Sequence, residues 1–91
     1  MRAFEVHLNG ERLCVAGFDG DGVLNTMIDQ VAGSGRRDIC LRVGGLITAT
    51  DEHVRWINLR LKVGDEVALK VVETESVDMP AQRFRTGTEQ E

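Results

Sequence analysis

Residues 22–35 read GVLNTMIDQVAGSG, and the fold class turns on their period. Val23, Leu24, Met27, Ile28 and Val31 recur at helical spacing, with Asn25, Asp29 and Gln30 on the opposite side. Asp19 or Asp21, in FDGDG at 18–22, can cap a helix, and Gly33-Ser34-Gly35 can stop one. The spacing predicts a helix of about three turns, too short to be stable alone and therefore dependent on a sheet. In the competing reading, residues 23–32 form one strand of a small all-β barrel. The recurrence of Leu24, Met27, Ile28 and Val31 favours the helix.

The flanking segments read as strands. In AFEVHL, residues 3–8, Phe4, Val6 and Leu8 alternate with Glu5 and His7. Asn9-Gly10 follows, and both residues tolerate the positive φ of a type I′ hairpin turn. A two-residue loop there pairs His7 with Arg12, Val6 with Leu13, Glu5 with Cys14 and Phe4 with Val15, which keeps apolar residues on one face. DICLRV, residues 38–43, alternates again, and Gly44-Gly45 is expected to end that strand. Thr50 or Asp51 can start a short helical turn running to Trp56, or the chain is irregular there, and a brief strand over 55–61 follows. Residues 66–73 form the last strand, with Val67, Leu69 and Val71 inward and Ala68, Lys70 and Val72 outward. Beyond Glu73 the apolar pattern stops. The division predicted is a domain over 1–73 and a polar, flexible C-terminal tail over 74–91.

The chain has 91 residues, 42% hydrophobic and 29% charged, which suits one small globular domain with little room for a deep cleft. A net charge of −4 disfavours nucleic acid or an anionic membrane as partner, since both select a concentrated basic surface. No apolar run approaches the ~20 residues of a membrane span. Arg2, Glu5 and His7 interrupt any signal-peptide core, so the chain is expected to be cytoplasmic. Cys14 and Cys40 then read as reduced thiols rather than a disulfide framework.

The opening MRAFEVHLNGERLCVAGF and the closing VGDEVALKVVE resemble the first hairpin and last strand of the β-grasp domains of ubiquitin and the small sulfur carriers. EHVRW and VGDEV are also similar to stretches of short bacterial proteins that bring no activity with them. The β-grasp resemblance implies an α+β domain: a mixed sheet of four or five strands, parallel first and last strands at its centre, and one helix across one face. It also implies a carrier or modifier that works through a terminal Gly-Gly. Here the last strand runs into TESVDMPAQRFRTGTEQE, where Gly87 has no glycine neighbour, so the diglycine chemistry passes to no residue of this chain.

The remaining side chains point away from catalysis. His7, His53, Cys14 and Cys40 lack the spacing of a zinc site; His7 shares a face with Glu5 but lies diagonal to Cys14, and a flat sheet face excludes too little water for a Cys/His nucleophile pair. Arg36-Arg37 reads as solvated charge, and Trp56 as a core plug. No enzyme activity, catalytic residue, metal or cofactor is expected. The uncovered sheet face is the candidate site, with His7, Arg12, Arg42, Ala68, Lys70 and Val72 as its interaction residues. The function expected is a non-enzymatic module that binds a protein partner, or a second copy of itself, through that face or an edge strand. A ubiquitin-like carrier with an unconventional tail is the alternative.

Overall fold

The structure, a computed structural model, describes residues 1–85. Among them it has seven strands and no helix: β1 (Arg2–Leu8), β2 (Glu11–Ala16), β3 (Gly22–Gly33), β4 (Arg36–Ile47), β5 (Glu52–Leu61), β6 (Val67–Glu73) and β7 (Gln82–Arg85). They form two antiparallel sheets, one ordered β2-β1-β6 and the other β3-β4-β5-β7. The described residues are therefore all-β, and the expected α+β domain, with its mixed sheet and one helix, is corrected. β1 and β6 pair antiparallel, not parallel.

The correction originates in residues 22–35. Ser34 and Gly35 take φ of 50° and 79°, so the sequence expected to stop a helix instead makes a two-residue hairpin turn. β3 then pairs with β4 along its whole length, from Gly22 opposite Ile47 to Gly33 opposite Arg36. A lone three-turn helix is marginal, whereas this hairpin satisfies one edge of a twelve-residue strand. The helical stripe marks no buried face: Val23, Met27, Ile28 and Val31 are all exposed. β4 and β5 also overrun their expected limits. Gly44-Gly45 sits inside β4 at a bulge, and residues 52–56 are strand rather than a helical turn.

The first hairpin forms at Asn9-Gly10, with φ of 53° and 86°. Leu8 faces Glu11 and His7 faces Arg12 as expected, but a bulge between Val6 and His7 then shifts the register. Val6 faces Cys14, not Leu13, and Phe4 faces Ala16, not Val15. The extra residue turns two small side chains inward. Cys14 and Ala16 are buried with Val6, and this cluster packs against Leu41, Val43, Val54 and Trp56 of the other sheet. Ile28 and Leu69, expected in the core, are 53% and 40% exposed. Both lie on edge strands, β3 and β6, away from the central overlap of the sheets.

The chain after Glu73, expected to be a flexible tail, makes hydrogen bonds to the body as far as Arg85; residues 86–91, Gly87 included, lie outside the described residues. Met1 and Thr74 exchange hydrogen bonds of 2.7 and 2.8 Å. The Asp78 N–H donates to the Val15 carbonyl at 2.9 Å, and the Val15 N–H donates to the Asp78 carboxylate at 2.8 Å. The indole N–H of Trp56 donates to the Asp78 carbonyl at 2.8 Å. The chain then joins the second sheet as β7, antiparallel to β5.

Core substitutions should follow this packing. Leu41→Ala should cost about 2–5 kcal/mol, the range for emptying a fully buried leucine site. Ile28→Ala should cost roughly 1 kcal/mol or less, since much of the side chain is already in water. Urea denaturation of both variants checks the order, and equal losses would contradict this core.

Candidate functional site

The six residues expected to share one face do not. His7, Arg12, Ala68, Lys70 and Val72 do lie on the outer face of the first sheet, where His7 faces Arg12 on one side and Ala68 on the other. Lys70 faces Glu5 and Val72 faces Ala3. The His7 ring nitrogen Nε2 lies 3.0 Å from Glu5 Oε2. Val77 covers one end of this face, since a Cβ on Gly17 would meet Val77 Cγ1 at 3.2 Å. Arg42 belongs to β4 in the other sheet and donates to Asp29 at 2.9 Å.

The outer face of the second sheet carries a shallow trough. Its floor is Gly44-Gly45. A Cβ on Gly44 would lie 2.6 Å from the Val54 carbonyl oxygen, and one on Gly45 would lie 2.3 Å from that of Val23. The backbones approach too closely for a side chain at either position. Val23, Asn25 and Met27 border one side and His53 and Phe84 the other, with Arg42 and Arg55 beside them. The His53 and Phe84 rings stack with centroids 5.2 Å apart, and the Arg55 guanidinium carbon lies 5.8 Å from the Phe84 centroid. Sequence reasoning missed this cluster because Phe84 falls in the stretch taken for a tail. The alternation of HVRW at 53–56 was the available signal: it turns His53 and Arg55 out and Val54 and Trp56 in.

β3 forms the border of the trough and the edge of the sheet. In a two-residue hairpin the closing pair, here Gly33 with Arg36, is hydrogen-bonded, and bonded and non-bonded pairs then alternate. Leu24, Thr26, Ile28 and Gln30 therefore direct their N–H and C=O groups away from β4. Val23, Met27, Ile28 and Val31 are 48 to 62% exposed along this edge. Asp29 is the only charged residue of the strand, and Arg42 occupies one of its carboxylate oxygens. The other, Oδ1, is occluded and has no hydrogen-bond partner among the described residues.

The remaining edges are blunted in ways that natural sheets use against unwanted pairing. Asp78 occupies the edge of β2 at Val15. β7 covers β5 from Glu52 to Arg55, and the remainder of β5 carries Arg60. β6 has seven residues with an exposed Lys70 at its centre.

The two histidines lie in different sheets, and so do the two free cysteines. No group of three or more His, Cys, Asp or Glu residues that could hold a metal ion occurs among the described residues. Nor is any helix among them long and apolar enough to cross a membrane. No family model, curated protein or solved structure matches the chain.

Cys14 has one chemical consequence. Burial, with the negative charge of Asp78 adding to it, pushes the thiol up from 9.0 to about 11. Between those values the folded state keeps a proton that the unfolded state releases. Stability from this group is complete below pH 9 and falls as pH rises toward 11. Cys14→Ala should flatten that part of the stability profile. Denaturation midpoints across the alkaline range, compared with wild type, test it; parallel profiles would contradict the assignment.

Proposed function

We propose that this chain is a non-enzymatic protein-interaction module that takes up its partner by strand addition at β3. One observation carries the proposal: β3 is a twelve-residue edge strand, rich in exposed apolar side chains, without proline and with its single carboxylate held by Arg42. Such an edge extends about 40 Å. In strand addition the backbone hydrogen bonds supply affinity and alternate side chains supply selectivity. Here the selecting positions are Val23, Asn25, Met27 and Val31 on the outer face, with the trough over Gly44-Gly45 beside the first three. We place the module in the cytoplasm, where Cys14 and Cys40 would remain reduced.

Proline at position 28 separates edge pairing from folding. The Ile28 N–H points outward, so Ile28→Pro removes a donor from the free edge and none from the β4 ladder. A partner captured by the purified chain and identified by mass spectrometry should be lost with Ile28→Pro and retained with Lys70→Glu. The reverse result would reject the β3 edge and transfer binding to the face of His7, Arg12, Ala68, Lys70 and Val72.

A further inference from the structure

We infer that the partner strand is β3 of a second copy of this chain, paired antiparallel about a two-fold axis at Met27. Self-pairing presupposes that β3 is the interaction edge and adds the identity of the partner.

The register follows from the order of side chains. Copies related by a two-fold axis normal to the sheet keep their outer faces on the same side, so each residue must face one of its own parity. With Met27 on the axis, Met27 faces Met27, Val23 faces Val31 and Asn25 faces Asp29. On the inner side Leu24 faces Gln30 and Thr26 faces Ile28. Every outer-face pair is thus matched, apolar with apolar and amide with carboxylate. Sliding one strand by two residues in either direction destroys the match. One slide sets Val23 against Asp29 and Asn25 against Met27; the other sets Met27 against Asp29 and Asn25 against Val31. Both bring apolar side chains against polar ones at the positions nearest in space.

The backbone agrees with the same register. Leu24, Thr26, Ile28 and Gln30 hold the outward N–H and C=O groups, and they face one another in the hydrogen-bonded pairs. Met27 falls in a non-hydrogen-bonded pair, where Cα atoms approach to about 4.5 Å. Asn25 of each copy arrives beside the partly exposed Asp29 carboxylate of the other, which Arg42 already holds in place. The two four-stranded sheets become one continuous sheet, and the edge most open to nonspecific pairing closes.

Analytical ultracentrifugation and directed disulfide formation test the pairing. The wild-type mass should rise from monomer to dimer with concentration. Ile28→Pro should remain monomeric while keeping the wild-type circular dichroism spectrum. In a Cys40→Ser background, Met27→Cys should oxidise to a covalent dimer, because the non-hydrogen-bonded separation suits a disulfide. Val31→Cys, more exposed than Met27 but distant from its own counterpart, should form little covalent dimer alone and should cross-link when mixed with Val23→Cys. A chain that stays monomeric at millimolar concentration, or a Met27→Cys that cross-links no faster than Val31→Cys, overturns self-pairing. If another protein is still captured in an Ile28-dependent way, the β3 edge stands with a different partner. If neither self-association nor capture depends on Ile28, the edge itself is rejected.

Discussion

The contact on which the two sheets most depend is the junction at Asp78. Trp56 belongs to the second sheet and fills the space against Val6, Cys14 and Ala16 of the first. An indole can be buried there only if its N–H finds an acceptor, since an unmade hydrogen bond costs about 1–3 kcal/mol. Asp78 supplies that acceptor from its backbone carbonyl and bonds Val15 through both its N–H and its carboxylate. One residue of a connecting segment therefore joins β5 to β2. The small side chains at Cys14 and Ala16 leave room for the large one at Trp56, and the bulge in the first hairpin is what turns them inward.

The same junction determines which backbone remains accessible. By occupying Val15, Asp78 blocks one end of the β2 edge, and the chain beyond it covers part of β5 as β7. The edges of the first sheet are the short, partly blocked β2 and the short, lysine-bearing β6, while one edge of the second is the long apolar β3. The glycines of β4 reinforce this asymmetry. Their close backbone contacts with Val23 and Val54 leave the outer face recessed beside β3, with His53, Arg55 and Phe84 across the gap. The binding function proposed for this edge would use backbone groups and a shallow relief, which a chain of 91 residues can present without a deep cleft.

Turn chemistry and short alternation were legible in the sequence. Asn9-Gly10 is a two-residue turn, DICLRV and RWINLRL lie in strands, and Val67–Glu73 is the strand that residues 66–73 suggested. The candidate face was legible only in part. Five of its residues share the outer face of the first sheet because alternation decides face within a strand, but Arg42 does not, because alternation cannot say which sheet a strand joins. Phe84 was missed because QRFR is a short polar strand whose order comes from pairing with β5 rather than from its own pattern.

The sequence by itself determined the local choices that depend on one residue and its neighbours: positive φ at Asn9-Gly10, extended chain where β-branched residues alternate, and a small chain with acidic net charge. Only the tertiary structure decided the fate of residues 22–33. Val23, Leu24, Met27, Ile28 and Val31 satisfy the helical period, yet the segment also makes a strand, because its periodicity is ambiguous and its local preference is weak. The decision came from β4, which pairs with all twelve residues across Ser34-Gly35. Register in the first hairpin was decided in the same way. Val6 faces Cys14 rather than Leu13 because the opposing sheet brings Trp56 to that position, and small side chains must turn inward to admit it.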